Sequence, residues 1–401
     1  MAQGEAEPAA DQFGQPLLIR VSGRDRPRVV GDLLGLLAGA GAEIDDMEQL
    51  VVRERLTLDV LVRIAEADSS LIRDILYWGH TLQLTVDFEH VEATSQRSML
   101  PRHAITVLGE ALSPDALAAV SVAVADTDGT IDRIVRLATE PVTAYDLSVI
   151  AGDVDTMRRR LMQIARDHRI DIAVQAGGLE RRAKRLVVMD VDSTLIRDEM
   201  IDLLAEEAGC SEQVVAITER AMRGELDFEG SLRERVRLLK GLELSAIDRV
   251  RGRIRLTPGA RTFVRTLKRL GFAVAIVSGG FTLFTDWLQD QLDLDHAYGN
   301  TVEISGDRLT GEILGTVVDR ARKAELLAEI AAAEGVPLSQ TVAIGDGAND
   351  LDMLAAAGMG IAFNAKPAVR EQAEVTVSVP YLDAILFMLG LRGTDVDHGD
   401  V

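Results

Sequence analysis

The sequence is poor in cysteine, in aromatic residues and in net positive charge. One cysteine, Cys210, among 401 residues can form neither an intramolecular disulfide nor a cysteine-based zinc site. We therefore expect a reducing, cytoplasmic environment. Aromatic residues make up 4%, so the cores must consist mostly of aliphatic side chains. The net charge of −21 argues against nucleic acid and anionic membrane surfaces as partners.

Long apolar runs are also missing. No stretch of 18 or more residues is both apolar and uncharged, which predicts that no helix spans a membrane. The acidic N-terminus lacks the basic start and apolar centre of a secretory signal, and we predict a disordered tail at residues 1–15. The remaining composition, 47% hydrophobic and 27% charged, is typical of a globular protein. At roughly 150 residues per domain, the length predicts two to three domains.

Two blocks of the same predicted element order open the chain. Apolar runs and helical spacing in residues 16–92 predict strand, helix, strand, strand, helix and strand, with the last strand at 81–88. Residues 102–176 repeat this order. The first strands also align in sequence, which favours an internal repeat over a chance similarity of two small α+β units. Glycines and charges over residues 176–182 then predict a linker.

The tandem of small units resembles a pair of ACT domains, a family of amino-acid-sensing modules with a ferredoxin-like α+β fold. Residues 22–27 (Ser-Gly-Arg-Asp-Arg-Pro) resemble the family's first loop, commonly Gly-x-Asp-x-Pro-Gly. Arg28 stands where the family often has glycine, and the second repeat lacks the aspartate. The resemblance implies an effector loop at Gly23 and Asp25, an amino-acid effector such as L-serine, and a homodimer.

The third block, residues 184–393, alternates strands with helices, which is typical of a parallel sheet covered by helices on both faces. Three of its apolar strands run into polar residues. Asp190 and Asp192 follow the first, Ser278 and two glycines follow the second, and Asp346 lies within the polar segment after the third. Because ligands bind at the carboxyl ends of parallel strands, we expect these residues to lie together.

The two neighbouring aspartates suggest a chemistry. Side by side they repel, and a divalent cation with oxygen ligands relieves that repulsion. One can act as nucleophile and the other as acid and then base. Glycines after a hydroxyl let backbone N–H groups approach an oxyanion. Taken alone, the aspartates are also consistent with an acidic turn, and Lys323 with a solvated surface residue.

Four segments together resemble, in order, the motifs of the haloacid-dehalogenase-like phosphatases. They are residues 190–194 (Asp-Val-Asp-Ser-Thr), Ser278, Lys323 and residues 345–350 (Gly-Asp-Gly-Ala-Asn-Asp). Residues 197–256 resemble the small helical cap of this superfamily. Within that cap Glu199, residues 221–224 and residues 228–236 resemble, together with residues 277–281, the phosphoserine phosphatases. That resemblance covers nearly all of residues 184–392.

The resemblance implies Mg²⁺-dependent hydrolysis of O-phospho-L-serine to L-serine and phosphate, the last step of serine biosynthesis. Asp190 would attack phosphorus and form an aspartyl-phosphate. Asp192 would protonate the leaving oxygen and then accept a proton from water, so its pKa should be raised. Mg²⁺ would be held by the Asp190 and Asp346 carboxylates and the Asp192 backbone carbonyl.

The resemblance also implies a substrate site under the cap. Glu199 would pair with the substrate ammonium and Arg235 with its carboxylate. Met222 and Phe228 would shield the site from water. The phosphate oxygens would be bound by Ser193, Ser278, Gly279, Lys323 and Asn349. Asp350 would orient metal-bound water or hold Lys323.

Two alternatives remain open from the sequence. The chain could be a phosphatase of the same superfamily that acts on another small phosphomonoester, such as phosphothreonine, or on a phosphoprotein. It could instead be an amino-acid-sensing binding protein whose phosphatase-like block is an inactive scaffold. The absence of predicted membrane spans excludes a P-type ATPase, which also forms an aspartyl-phosphate.

Overall fold

The computed structural model describes residues 15–64, 69–91, 101–178, 181 and 183–399. The predicted tail therefore lies outside the described residues, apart from Gln15. The chain divides into two compact units, residues 1–99 and 100–401. Within the described parts, no helix is long and apolar enough to cross a membrane.

The first unit has the predicted βαββαβ order, and its antiparallel sheet runs β2-β3-β1-β4. Its elements are β1 (Leu17–Arg24), α1 (Val29–Gly39), β2 (Glu43–Val52), β3 (Arg55–Arg63), α2 (Ser69–Leu82) and β4 (Thr85–His90). The prediction of a strand at residues 81–88 was wrong at its start, because β4 begins only at Thr85. Trp78 and Leu82 continue the apolar helical spacing of Leu71 and Ile75 and pack on the same core, so the helix continues.

The second unit begins with the same arrangement, and its antiparallel sheet runs β6-β7-β5-β8. The elements are β5 (Arg102–Gly109), α3 (Pro114–Ala125), β6 (Thr130–Ala138), β7 (Thr143–Ile150), α4 (Val154–His168) and β8 (Asp171–Ala176). One face of this sheet packs on α3 and α4 through Ile105, Val107 and Leu161. On the other, Leu108, Ala144 and Ala173 join the main core of the following α/β block.

A seven-stranded sheet forms the centre of that block, in the order β12-β11-β10-β9-β13-β14-β15. The strands are β9 (Leu186–Met189), β10 (Ala273–Phe281), β11 (His296–Ser305), β12 (Arg308–Leu314), β13 (Thr341–Gly345), β14 (Gly360–Phe363) and β15 (Val375–Val377). The strands are parallel except β12, which pairs antiparallel with β11 at one edge. All residues of β9, β13 and β14 are buried, as expected where helices cover both faces.

Helices cover this sheet and form the cap. The cap helices are α5 (Met200–Ala208), α6 (Ser211–Met222), α7 (Phe228–Leu238) and α8 (Leu244–Arg251). The others are α9 (Ala260–Arg269), α10 (Thr282–Leu292), α11 (Arg320–Ala333), α12 (Leu351–Ala356), α13 (Pro367–Arg370) and α14 (Ile385–Met388). Ile196 and Leu256 form a β-bridge where the chain enters and leaves the cap. The predicted fold class is confirmed: a parallel-sheet core with a helical cap follows two ferredoxin-like units.

Candidate active site

Three neighbouring strands bring the predicted motifs together. β9 lies between β10 and β13 and is parallel to both, so their carboxyl ends meet at one edge. Asp190 directly follows β9, and Asp346 directly follows β13. Ser278 and Gly279 lie inside β10, because that strand continues past an irregularity in its pairing after Val277. The edge thus places two aspartates beside a hydroxyl and a glycine.

The turn after β9 fixes the second aspartate. Ser193 has a left-handed backbone, with φ 57°, which folds the chain back toward the cap. The Asp192 Oδ1 atom accepts a hydrogen bond from the Met200 N–H (2.7 Å), and its Oδ2 atom accepts one from the Ser278 hydroxyl (3.2 Å). The Ser193 hydroxyl donates to Glu199 Oε1 (2.9 Å). The carboxylate of Asp192 is thereby oriented from two sides.

A buried lysine lies beneath the first aspartate. The Lys323 ammonium donates to Asp190 Oδ1 and to Asp350 Oδ1, each at 2.7 Å, and all three side chains are at most 5% exposed. Burial alone would lower the pKa of Lys323, but the charges of Asp190 and Asp350 raise it above its ordinary value. Lys323 therefore stays charged, and it is not the solvated surface residue with which its sequence position, taken alone, was also consistent.

Carboxylates outnumber cations at this point. Asp190, Asp346 and Asp350 each offer an oxygen, and these oxygens lie within 4.8 Å of one another. Burial, followed by the charge of Asp350, raises the pKa of Asp190 well above its usual range. The same two causes raise the pKa of Asp346 to about 6. One lysine cannot balance two buried carboxylates and a half-buried one, so the cluster suits a hard divalent cation.

The protonation of Asp192 differs from that of an ordinary aspartate. Burial raises its pKa to about 7, and the charge of Glu199 adds to this increase. A carboxyl group that titrates near neutrality can donate a proton in one step and accept one in the next. The raised pKa predicted for this residue is therefore found.

Two charged side chains from the cap face the same space. Burial raises the pKa of Glu199, while the Ser193 bond and the charges of Lys366 and Arg235 oppose that rise. Arg235 lies on α7, where its Nε atom donates to the Ser231 carbonyl (3.3 Å). A carboxylate and a half-buried guanidinium that line one cavity can bind an ammonium and a carboxylate on one small ligand.

Gly279 lies where the cap closely approaches β10. A Cβ atom at this position would lie 3.1 Å from Cζ of Phe228, closer than side-chain contacts normally come. Phe228 begins α7, so its ring covers the end of β10 from the cap side. The half-buried ring thus lies next to the Gly279 backbone at the strand end.

A cavity of about 300 Å³ joins these groups. The predicted residues that line it are Asp190, Asp192, Glu199, Phe228, Arg235, Gly279, Asp346 and Asn349. Ser278, Lys323 and Asp350 are fully buried beside it. Ser193 reaches it through its bond to Glu199. Met222 ends α6, and its side chain lies outside the described residues.

Sequence reasoning missed several lining residues, namely Ile201, Leu232, Gly280, Phe281 and Lys366. Leu232, Gly280 and Phe281 lie within segments that carry the resemblance, but no role was assigned to them. Lys366 follows β14, the neighbour of β13 in the sheet. Its place just after a strand that ends at the same sheet edge is the signal that could have identified it.

The loop predicted to bind an effector lies in the first unit. Gly23 belongs to β1, and Asp25 donates its backbone N–H to the Glu54 carbonyl (2.8 Å). Arg28 has a left-handed backbone, with φ 77°. The family's preferred glycine would adopt that conformation without steric cost, so the departure strains the chain. An effector bound at Gly23 and Asp25 stays a prediction.

The comparisons with known proteins agree with this geometry. A model of haloacid dehalogenase-like hydrolases matches residues 187–355, and two ACT-domain models match residues 15–89 and 101–175. Fold and site thus define a haloacid dehalogenase-like hydrolase that carries two ACT domains. Each small unit contains one match, as the repeat predicts.

Similar proteins identify the family within this class of hydrolases. The phosphoserine phosphatase of Streptomyces coelicolor is 51% identical, over 96% of this chain and 94% of its own. That of Mycobacterium tuberculosis is 46% identical, over 96% and 95%. The unliganded probable phosphoserine phosphatase of Vibrio cholerae shares the fold with a TM-score of 0.59 and 36% identity, over 75% of this chain and 89% of that one. The chain belongs to the phosphoserine phosphatase family.

Proposed function

We propose that this chain hydrolyses O-phospho-L-serine to L-serine and phosphate, as the last step of serine biosynthesis in the cytoplasm. The observation that carries the proposal is one cavity in which the Asp190–Asp192 pair faces Glu199 and Arg235. The first pair provides phosphoryl transfer, and the second matches the two charged groups of an amino acid. Relatives named phosphoserine phosphatase support the same substrate.

The carboxylate cluster supports Mg²⁺ as the cofactor. Asp190 and Asp346 would hold the ion through their carboxylates and Asp192 through its backbone carbonyl, with oxygen ligands that suit this ion. Asp350, whose second oxygen accepts the Gly347 N–H (2.9 Å), would hold Lys323 in place. When bound, Mg²⁺ would neutralise phosphoryl charge and keep Asp190 ionised.

In the first step the Asp190 carboxylate attacks phosphorus. An O–P bond forms to Asp190, the bond between phosphorus and the serine oxygen breaks, and Asp192 gives its proton to that leaving oxygen. Lys323 occupies Oδ1 of Asp190, and within the described residues no donor bonds Oδ2, which leaves Oδ2 to react. Ser278, the Gly279 N–H and Asn349 would bind the phosphoryl oxygens.

In the second step water attacks the phosphorus of the aspartyl-phosphate. Asp192, now ionised, accepts the proton from that water, and the bond between phosphorus and Asp190 breaks. Phosphate leaves and both aspartates return to their starting states. A pKa of about 7 lets Asp192 perform both transfers near neutral pH.

The test separates substrate recognition from phosphoryl transfer. Glu199→Gln and Arg235→Ala should each reduce kcat/KM for phosphoserine by about 100-fold or more, because each leaves one substrate charge unpaired. Turnover of p-nitrophenyl phosphate, which has neither charged group, should change less than tenfold. Arg237→Ala is the matched control, since this arginine lies on the same helix, is 60% exposed and does not line the cavity. Equal losses on both substrates would contradict phosphoserine as substrate.

The two ACT matches support regulation by an amino acid. We extend the proposal to an effector such as L-serine bound at the Gly23–Asp25 loop of a homodimer. Inhibition of the full chain by L-serine should include a non-competitive component that Asp25→Ala removes while kcat stays unchanged. Purely competitive inhibition of both the wild type and Asp25→Ala would show that L-serine is a product inhibitor and not an effector.

A further inference from the structure

The cavity is acidic although its proposed substrate is an anion. Asp190, Asp192, Glu199 and Asp346 all line it. A phosphomonoester dianion must approach these carboxylates, and it must do so in a chain with a net charge of −21. Like charges a few ångströms apart repel strongly in a partly buried site. Mg²⁺ would offset part of this repulsion, and a cation exposed at the cavity would offset more of it.

Two of the three cations at the site are shielded from solvent, fully or in part. Lys323 is 1% exposed and ion-paired with both Asp190 and Asp350. Arg235 is half-buried on α7, where its Nε atom donates to the Ser231 carbonyl (3.3 Å). Neither is as exposed as the third.

Lys366 is the third cation, and it differs from the other two. It is exposed and lines the cavity. Within the part of the chain that the structure describes, no carboxylate lies within salt-bridge distance of its ammonium. Burial raises the pKa of Glu199 and of Asp346, and the charge of Lys366 opposes both rises, so Lys366 is in electrostatic reach of the cap side and the core side of the cavity.

The backbone holds Lys366 in place while its side chain stays free. The Lys366 carbonyl accepts hydrogen bonds from the N–H groups of Val369 (2.9 Å) and Arg370 (3.1 Å) at the start of α13. Two residues earlier, the Asn364 N–H donates to the Val377 carbonyl of β15 (2.8 Å). Ala365 between them is buried. The sheet thus anchors a long, flexible cation at the edge where the motifs meet.

We propose that Lys366 is an anion-attracting positioning residue, which draws the phosphorylated substrate past the cavity's carboxylates and orients it toward Asp190. The inference rests on the proposed function for the identity of the substrate. The charge effect does not depend on the proposed function, because any phosphomonoester dianion would be attracted in the same way. Fields of this kind raise association rates by 10-fold to 10³-fold and weaken with salt.

The test measures kcat and KM for Lys366→Met against ionic strength. We expect kcat/KM to fall about tenfold at low salt, with kcat within about twofold, because Lys366 does not touch the reacting atoms. The loss should shrink toward twofold at about 0.5 M salt, where the Debye length is only a few ångströms. Lys366→Arg should retain most of the wild-type value, and Lys366→Glu should be worse than Lys366→Met.

Lys240→Met is the matched control. Lys240 is an exposed lysine near the end of α7 and does not line the cavity. Lys240→Met removes the same net charge from the chain as Lys366→Met. Its kcat/KM, and the salt dependence of that kcat/KM, should nevertheless match those of wild type. An equal loss in both variants would assign the effect to overall charge and overturn the proposal.

Other outcomes decide the inference independently of the substrate. A salt-independent loss in Lys366→Met that Lys366→Arg does not rescue, or no loss at all, would overturn it. If the chain hydrolyses p-nitrophenyl phosphate but not phosphoserine, the proposed function fails. The same Lys366 variants, measured with p-nitrophenyl phosphate against ionic strength, then still test the role of Lys366. Calorimetric titration of inorganic phosphate into the protein in the presence of Mg²⁺ needs no turnover. Lys366→Met should weaken phosphate binding about tenfold at low salt.

Discussion

The two ACT units share a fold and differ on one face of the sheet. In the first unit, Arg20 of β1 donates to Asp59 of β3 (3.0 Å), and both side chains are more than one-third exposed. In the second, Thr106 lies opposite Asp146 on the corresponding strands. Arg181 from the predicted linker donates to both, at 2.8 Å and 2.9 Å, and is 9% exposed. A solvated cross-strand pair in one unit is a covered one in the other.

The difference shows how one fold can keep a sheet face solvated or build that face into an α/β core. The first unit has a hydrophobic core of its own. The second shares a core with the α/β block and is hydrogen-bonded to it. The Gln175 side chain donates to the Met388 carbonyl (2.8 Å), and the Ser378 N–H donates to Asp171 (2.7 Å). The outer face of the sheet, and not the element order, determines which of the two occurs.

The largest expected effect comes from the covered pair. Arg181→Met should lower the free energy of unfolding of the second unit by about 3 kcal/mol, because it leaves Asp146 partly buried and unpaired. Arg20→Met in the first unit should cost at most about 1 kcal/mol, because solvent replaces the lost partner. The first compact unit, residues 1–99, contains Trp78, and the second, residues 100–401, contains Trp287. Trp287 therefore reports on the second compact unit in a Trp78→Phe background, and Trp78 reports on the first in a Trp287→Phe background. Equal costs would refute the comparison.

A pH effect of about the same size is expected where the second unit meets the α/β block. Burial raises the pKa of Asp171 from 3.8 to about 6, so folding favours its protonated form. This stabilisation is present below about pH 4 and is lost as pH rises through 6. Relative to Asp171→Asn, wild type should lose about 3 kcal/mol between pH 4 and pH 7. Urea unfolding followed by Trp287 at both pH values measures it.

The control for that pH effect is Asp128→Asn. Asp128 is an exposed aspartate of the same ACT unit. Its substitution should leave the pH dependence of unfolding unchanged. If Asp171→Asn shows the wild-type pH dependence as well, the buried carboxyl group is not the cause.

The smallest expected effect lies at the loop of the first unit. Arg28→Gly should stabilise that unit by about 1 kcal/mol, because glycine adopts a φ of 77° without the steric cost that arginine incurs. Trp78 fluorescence during urea unfolding gives the value. Gly31→Ala, in α1, where a Cβ meets nothing within 4 Å, is a reference for ordinary helix propensity. A destabilised Arg28→Gly would show that Arg28 makes contacts that outweigh its backbone strain.

Much of the candidate site could be predicted from the sequence. Polar residues at or beside strand ends carry the prediction, because parallel strands bring their carboxyl ends together whatever lies between them. Asp190, Asp192 and Asp346 meet for this reason. Glu199 and Arg235 came only from the resemblance, since nothing in the spacing of two charged residues on a helical cap places them in one cavity.

What the sequence could not provide depends on contacts between distant segments. Lys366 has no motif, and only the position of β14 in the sheet brings it to the cavity. Arg181 was interpreted as part of a linker because glycines precede it. Its role depends on the face of a sheet whose residues come much earlier in the chain. Local patterns carry no information on which face of a unit another block will cover.

One measurement tests the central claim most directly. It is phosphate release from O-phospho-L-serine by the full chain and by Asp190→Asn, each with Mg²⁺ and with EDTA. We predict release only from wild type with the metal, and a loss of at least about 10³-fold in Asp190→Asn, because the amide cannot form the aspartyl-phosphate. Metal-independent release, or release that survives Asp190→Asn, would contradict the mechanism. If wild type with Mg²⁺ releases no phosphate from O-phospho-L-serine but turns over p-nitrophenyl phosphate, phosphoserine is not the substrate.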